Sequence, residues 1–135
     1  MRRAEAAGIA VLWSNCDELK QFFWGGCPPD QDQDDPDNYR HTGAIEALPS
    51  GAVIIPGDYR TTAGNAGDDV YVYWGEGGFS WAIPYVAGLA ALARQLSPGL
   101  SLPEITRLIA ETAAVKADGT RVPDPAAFIG VIREN

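Results

Sequence analysis

The sequence is poor in basic residues and in histidine. Its 135 residues include ten lysines and arginines against eighteen aspartates and glutamates, which gives a formal net charge of −8. Binding to nucleic acid or to an anionic membrane surface depends on clustered basic side chains. The most basic stretch, Arg2-Arg3, is soon followed by Glu5. We therefore expect no nucleic-acid partner and no membrane partner.

The chain also lacks a hydrophobic run long enough to cross a membrane. The longest uncharged stretch, Gly77 to Ala93, contains Pro84 and is shorter than the roughly 20 residues that a transmembrane helix needs. The N-terminus has two arginines, as signal peptides often do, but the acidic Glu5 follows them. The apolar run Ile9 to Trp13 is too short for the core of a signal peptide. We identify neither a signal peptide nor a transmembrane segment, and the compartment stays open.

Cysteine is scarce. Cys16 and Cys27 are eleven positions apart, with no second cysteine pair and no nearby histidine. This is not the spacing of a zinc site. Two buried free thiols or one loop-closing disulfide fit the pattern equally well, and both interpretations stay open.

An acidic stretch lies in the loop that we predict over residues 27–40. Its five aspartates partly alternate, as in calcium loops. An EF-hand that began at Asp30 would need glycine at its sixth position and glutamate at its twelfth, where this chain has Asp35 and His41. The sequence contains no recognisable metal site and implies no required cofactor. Two interpretations of the stretch remain: a calcium loop of a different kind, or, more simply, an acidic loop exposed to solvent.

The order of apolar segments predicts an α/β fold with parallel strands. The first elements are predicted as the end of a helix over residues 2–8, a buried strand at Ile9 to Trp13, and mostly loop over residues 16–51. Two further strands are expected at residues 52–55 and 70–74. The opening helix and strand are typical of the second half of a crossover unit whose first strand is missing.

The second half of the chain is predicted to be helical. Apolar residues recur at intervals of three and four over about 80–96, and the helix they form is apolar nearly all round, which is typical of a buried helix. Ser101 and Glu104 have the spacing of a capping box and predict the start of the next helix. A turn at 118–119 and a short helix over 124–132 complete the chain.

Ser80 stands where a glycine-rich turn passes into the helix at about 80–96. A hydroxyl there lies beside N–H groups of the first helical turn, which have no partner within the helix. Such donors can stabilise the oxyanion of an acyl-transfer reaction. Serine is also a preferred helix N-cap, so the local pattern leaves a nucleophile and a structural cap both open.

The segment GGFSWAIPYVAG, residues 77–88, resembles the serine motif G-T-S-M-A-x-P-H-V-A-G of subtilisin-like serine peptidases. The matching positions are Gly78, Ser80, Ala82, Pro84, Val86, Ala87 and Gly88. AVIIPGDYRTTAG and RAEAAGIAVLWSN are similar to the family's strand ending in A-P-G and to the helix and strand before its oxyanion asparagine. The resemblance covers most of the chain. It implies that residues 1–135 are the C-terminal portion of one subtilisin-like peptidase domain, with a partial subtilisin-like fold whose central buried helix follows the nucleophile serine.

By this resemblance, Ser80 is the nucleophile of a serine-type endopeptidase that cleaves peptides or proteins through an acyl-enzyme, and its own N–H donates to the oxyanion. Asn15 is the nearest candidate for the oxyanion asparagine, although the family's A-G spacing before it is absent. A turn asparagine is the alternative. Phe79, Trp81 and Tyr85 replace a threonine, a methionine and a histidine of the motif, and we expect aromatic residues beside the serine to reshape the substrate pocket.

The family's aspartate and histidine motifs do not occur. His41, the only histidine, lies in YRHTGAIEA, which differs from the family's H-G-T-H-V-A-G. We therefore expect a fragment that is inactive by itself, with the missing N-terminal half of the domain as its partner. One alternative is a non-catalytic binding or structural module in which Ser80 is only a helix cap. Another is an esterase-like hydrolase, which requires His41 within hydrogen-bond distance of Ser80.

Overall fold

A computed structural model of the protein describes residues 2–43 and 47–134. The helices are α1 (Arg2–Ala6), α2 (Phe79–Leu96), α3 (Leu102–Glu111) and α4 (Pro125–Glu134). The strands are β1 (Phe22–Gly26), β2 (Arg40–His41), β3 (Val53–Pro56), β4 (Arg60–Ala63), β5 (Tyr71–Trp74), β6 (Ala114–Val115) and β7 (Arg121–Val122). Two single turns of 3₁₀ helix lie at Asp17–Leu19 and Pro36–Asn38.

A five-stranded mixed sheet runs in the order β2-β1-β3-β7-β6. Its centre is parallel: β1 pairs with β3, so that Phe22 lies opposite Val53 and Gly25 opposite Pro56, and β3 pairs with β7. The two outer strands, β2 and β6, are antiparallel to their neighbours. Strands β4 and β5 form a separate antiparallel ribbon. The predicted α/β class with parallel strands is confirmed.

The hydrophobic core lies between this sheet and helices α2, α3 and α4. Strand β3 is buried along its whole length, as expected for a central parallel strand. Helix α2 packs against β1, β3, α3 and α4 and is therefore the central helix of the fold. None of the helices that the structure describes is both long and apolar enough to span a membrane.

Helix α3 begins as the sequence predicts. The Ser101 hydroxyl accepts a hydrogen bond from the Glu104 backbone N–H at 3.4 Å, and the Glu104 carboxylate accepts one from the Ser101 backbone N–H at 2.8 Å. These two bonds complete a capping box. Because the pair depends only on residues three positions apart, a local pattern was sufficient to locate it.

The strand predicted at Ile9 to Trp13 does not form, and this prediction is wrong. The segment is irregular, and Ile9 is 57% exposed. The Ile9 N–H donates to the carbonyl of Ala4 at 2.9 Å, and Arg94 donates to the Gly8 carbonyl at 3.0 Å. These contacts tie the segment to the ends of α1 and α2. An apolar run forms a strand only where another strand pairs with it, and no described strand does so here.

The prediction that residues 16–51 are mostly loop is wrong at β1 and β2. The sequence FFWGG ends in two glycines, which usually mark turns. In this fold they lie inside a strand because the backbones approach closely there. A Cβ on Gly25 would lie 2.1 Å from the carbonyl oxygen of Arg40, so only glycine fits opposite β2.

Both cysteines are buried free thiols, and no disulfide joins them. The Cys27 thiol lies 3.5 Å from the carbonyl oxygen of Pro28. Burial, followed by the nearby carboxylates of Asp32, Asp30 and Asp35, raises the pKa of the Cys27 thiol. This thiol therefore stays protonated and poorly nucleophilic near neutral pH.

Asp118, in the turn between β6 and β7, gives a pH-dependent prediction. Hydrogen bonds from the Thr120 side chain, the Lys116 side chain and the Thr120 backbone lower the Asp118 pKa from 3.8 to about 2. Since the folded-state pKa is depressed, this carboxylate stabilises the fold above its ordinary pKa, and the stabilisation is lost as pH falls toward about 2. We expect an NMR titration of the side-chain carboxyl to show this midpoint. A midpoint near the ordinary value would contradict the described hydrogen bonds.

Candidate active site

Ser80 lies in the first turn of α2, but it is not the helix cap. The N-cap is Gly78, which makes Ser80 the second residue of the helix. The hypothesis of Ser80 as a structural N-cap is therefore wrong, because the helix starts one residue earlier than predicted. Ser80 is exposed. Within the described residues, its hydroxyl makes no hydrogen bond, and the backbone N–H groups of Phe79 and Ser80 have no acceptor.

A cleft of about 620 Å³ contains Ser80. It lies between the first turns of α2 and strand β4, with the end of β3 at its base. Its lining residues are Pro56, Arg60, Thr61, Thr62, Ser80, Trp81, Pro84 and Tyr85. Trp81 also contacts the ribbon, since its ring centroid lies 6.1 Å from that of Trp74 in β5. An exposed hydroxyl, free backbone donors and a substrate-sized cleft therefore lie together at the start of α2.

The aromatic residues around Ser80 lie on two sides of the helix start. Trp81 and Tyr85 line the cleft. Phe79 instead faces the sheet, where its ring centroid lies 6.3 Å from that of Trp24. Of the three aromatic replacements in the serine motif, two are thus placed to shape what the cleft can hold.

Asp58, which sequence reasoning missed, anchors the loop before Ser80. This residue is only 4% exposed. Its carboxylate accepts one hydrogen bond from the Gly77 backbone N–H at 2.6 Å and another from the Thr42 hydroxyl. The loop is also held by close packing, since a Cβ on Gly77 would lie 2.0 Å from the carbonyl oxygen of Gly57. The sequence did contain a signal for Asp58: it is a charged residue just after a predicted parallel strand, and functional groups collect at the carboxyl edge of an α/β sheet.

Asp58→Ala is expected to lower the free energy of unfolding by about 2 kcal/mol, because it removes a charged acceptor of two hydrogen bonds. The matched control is Asp69→Ala at an exposed position, where a change within about 0.5 kcal/mol is expected. Urea unfolding of both variants measures the difference. Equal stability of the two would show that the Asp58 contacts do not hold the loop.

His41 packs against Trp24 of strand β1. Its Nδ1 is 2.6 Å from the Trp24 carbonyl oxygen, and its ring lies edge-on to that of Trp24 at 5.3 Å between centroids. It is not among the residues that line the Ser80 cleft, and within the described residues no hydrogen bond joins it to Ser80. The pairing that the esterase hypothesis required is absent, and that hypothesis is wrong.

Asn15 lies in an exposed turn that follows the irregular segment after α1. The Cys16 N–H closes this turn on the Trp13 carbonyl at 3.1 Å. Asn15 is not among the lining residues of the Ser80 cleft. The strand that was expected to lead into it does not form, so the structure does not bring Asn15 and Ser80 together at one site.

The acidic loop uses its carboxylates to hold its own backbone. Asp32 accepts from the Asp34 N–H at 3.0 Å, and Asp35 accepts from the Asp37 N–H at 2.9 Å. Asp37 in turn accepts from the Ala117 N–H at 2.7 Å. Over residues 2–43 and 47–134, no group of three or more histidine, cysteine, aspartate or glutamate side chains is placed to hold a metal ion.

Comparison with solved structures places this architecture among proteases. The chain is similar to the serine protease MycP1, described as an essential component of the type VII (ESX-1) secretion system, with 28% identity and a TM-score of 0.50 over 78% of this chain and 30% of that chain. The fold is consistent with part of a subtilisin-like protease. The chain is also similar to proteases from Pseudoalteromonas arctica PAMC 21717, with 27% identity and a TM-score of 0.43 over 59% of this chain and 29% of that chain.

This chain thus spans less than a third of the length of either protease. No protein-family model matches it, and no curated protein sequence does. The likeness supports a protease-like fold.

Proposed function

We propose that this chain supplies the nucleophile part of a serine endopeptidase, with Ser80 as the attacking residue. The Ser80 oxygen bonds to the scissile carbonyl carbon while its proton passes to a base, and the C–N bond breaks as the base protonates the leaving amine. Water then hydrolyses the acyl-enzyme and restores the serine. The reaction uses only protein groups and water, so it requires no cofactor.

The observation that carries the proposal is that the Ser80 hydroxyl is accessible and lies beside backbone N–H groups that are unpaired within the described residues. Its hydroxyl is exposed and free of intramolecular hydrogen bonds among the described residues. The unpaired N–H groups of Phe79 and Ser80 lie at the positive end of the 18-residue helix α2. Donors of this kind stabilise a developing oxyanion. The likeness to MycP1 in fold agrees with this assignment.

The base has to come from elsewhere. Among the described residues that line the cleft there is no histidine and no carboxylate. The one histidine of the sequence, His41, is hydrogen-bonded to the Trp24 carbonyl. We propose that another part of the polypeptide, or a partner chain, presents a histidine to Ser80, and that a peptide or protein is the substrate. Asn15 remains our candidate for the second oxyanion donor only if that part reorders the segment around it.

A second candidate function is a binding module without catalysis. The ribbon exposes three aromatic residues: Tyr71, Tyr73 and Trp74 are 68%, 52% and 49% exposed. Of these, Trp74 contacts Trp81 of the cleft. Exposed aromatic clusters commonly mark interaction surfaces. In this alternative the chain binds a partner through the ribbon and Ser80 performs no chemistry.

Labelling with a fluorophosphonate separates the two functions, because this reagent phosphonylates only an activated serine. The polypeptide is purified as its source makes it, together with any bound partner, and is labelled beside residues 1–135 alone. We expect labelling of Ser80, located by peptide mass, in the native material and at least about 100-fold slower labelling of the isolated chain, which lacks the base. Absence of label on Ser80 in the native material would favour the binding module.

A further inference from the structure

Among the described residues that line the Ser80 cleft, Arg60 is the only charged one. It is the first residue of β4, and its position on the ribbon is fixed by pairing with Trp74 of β5. The rest of that lining is formed by proline, threonine, serine and aromatic side chains. Arg60 therefore supplies the formal charge among the described residues that line the cleft.

The guanidinium of Arg60 rests on the ring of Tyr85. Its central carbon lies 5.9 Å from the ring centroid, within the range of a cation–π contact. Burial raises the pKa of the Tyr85 phenol, and the charge of Arg60 opposes that shift. The phenol is therefore neutral near physiological pH. The neutral ring keeps its cation–π contact with the guanidinium and does not become a negatively charged counter-ion.

No carboxylate of residues 2–43 or 47–134 forms an ion pair with Arg60. The ion pairs among the described residues join Lys20 to Asp17, Arg107 to Glu111 and Lys116 to Asp118. An adjoining pocket of about 380 Å³ shares Pro56, Arg60 and Tyr85 with the cleft and contains Asp34 and Asp124, but neither aspartate is ion-paired with Arg60. In a chain of net charge −8, an arginine without such a partner beside a cleft is open to an external anion.

We propose that Arg60 is a specificity-determining residue that binds the carboxylate of an aspartate or glutamate side chain in a peptide held in the Ser80 cleft. A planar guanidinium binds a carboxylate through two parallel hydrogen bonds. Thr61 and Thr62 of β4 also line this cleft, and because side chains alternate along a strand, one of the two is placed to offer its hydroxyl as a further hydrogen-bond donor. The free N–H groups at the start of α2 add positive potential on the opposite wall. The substrate class is thus a peptide with an acidic residue close to the scissile bond.

This inference rests on the proposed function, so the test reads binding and hydrolysis separately. Peptides of one parent sequence carry Glu, Gln or Lys at each position around the scissile bond. Hydrolysis by the native polypeptide gives kcat/KM for each peptide. Fluorescence anisotropy with its Ser80→Ala variant gives the affinity for each peptide without turnover.

At one position we expect the Glu peptide to exceed the Gln peptide about tenfold in both readouts, because a hydrogen bond to a charged group contributes at this level. Arg60→Gln should bring the ratio close to one, and Arg60→Lys should retain part of it. Arg107→Gln is the matched control, since that arginine pairs with Glu111 on α3 outside the cleft, and it should keep the full ratio. Circular dichroism establishes that each variant folds.

The outcomes distinguish the two proposals. A Glu preference in binding that disappears in Arg60→Gln supports the carboxylate subsite even if no peptide is hydrolysed, in which case the proposed endopeptidase function fails. Hydrolysis with equal rates for Glu and Gln peptides overturns the subsite and leaves the endopeptidase intact. A Glu preference that survives in Arg60→Gln also overturns the subsite.

Discussion

Ser80→Ala in the native polypeptide is expected to lower kcat/KM for peptide hydrolysis by about 10⁴-fold or more, because without the serine oxygen no acyl-enzyme forms. The stability of the fold should not change. Ser80 is exposed and makes no side-chain hydrogen bond among the described residues, and alanine is a better helix former than serine. Activity and stability are therefore expected to separate cleanly in this variant.

The measurement is hydrolysis of a fluorogenic peptide beside a thermal unfolding curve. Ser14→Ala is the matched control, since Ser14 is also exposed but lies in a turn away from the cleft, and it should keep full activity. Retention of activity by Ser80→Ala would exclude an acyl-enzyme on this residue. A parallel loss of activity and of folded protein would instead assign Ser80 a structural role.

Gly77→Ala is expected to destabilise the fold by about 3 kcal/mol or more. The added Cβ would lie 2.0 Å from the carbonyl oxygen of Gly57 and 2.9 Å from a carboxylate oxygen of Asp58. Both contacts are shorter than atoms tolerate, and the first is with backbone, which cannot rotate aside. The loop before Ser80 would have to move, and it would lose the 2.6 Å hydrogen bond from the Gly77 N–H to Asp58.

The adjacent glycine gives a matched control for this prediction. A Cβ on Gly78 meets nothing within 4 Å, and its φ of 161° is extended. Gly78→Ala should therefore cost at most about 1 kcal/mol, the usual range for alanine at an N-cap. Denaturant unfolding of both variants gives the comparison. Equal costs would mean that the close approach between residues 57 and 77 does not constrain the fold.

Local signals predicted the helical half of the fold well. Helix α2 begins one residue before the predicted 80–96, and the capping box of Ser101 and Glu104 lies where the sequence placed it. Strands β3 and β5 overlap the predictions at 52–55 and 70–74. Each of these elements is encoded by side-chain periodicity or by residues within one helical turn, which a single sequence displays directly.

The errors arose where partners distant in sequence decide the structure. FFWGG forms a strand because β3 lies beside it and because glycine permits the approach of Arg40. The more apolar segment IAVLW stays irregular because no described strand pairs with it. In both segments, the hydrogen-bonding neighbour outweighs the intrinsic preference of the residues.

The candidate site was predictable only in part, for a similar reason. Trp81 lies next to Ser80 in the sequence and Tyr85 little more than one helical turn further on, so a motif could suggest that they flank one cleft. Arg60 and Asp58 come from a different strand and turn, and only the folded chain brings them to the same helix start. The assignment of Ser80 and Asn15 to chemical roles remains a prediction.

The ribbon of β4 and β5 forms no hydrogen-bonded ladder with the main sheet. It is attached at its base, where the Tyr59 N–H donates to the Gly75 carbonyl at 3.2 Å and the Gly77 N–H donates to Asp58. It also contacts α2 through Trp74 with Trp81 and through Arg60 with Tyr85. Elements with exposed hydrogen bonds and few buried contacts open locally at lower free energy than the core. The two walls of the cleft therefore differ in rigidity: the wall of α2 is held by the core, while the wall of β4 is held by its base and by side-chain contacts at the surface. The amide hydrogens of the ribbon should exchange with solvent well before those of α2. The cleft can widen for an incoming chain when the contacts of Trp81 and Tyr85 with the ribbon separate, while the backbone of the helix that carries Ser80 stays in place.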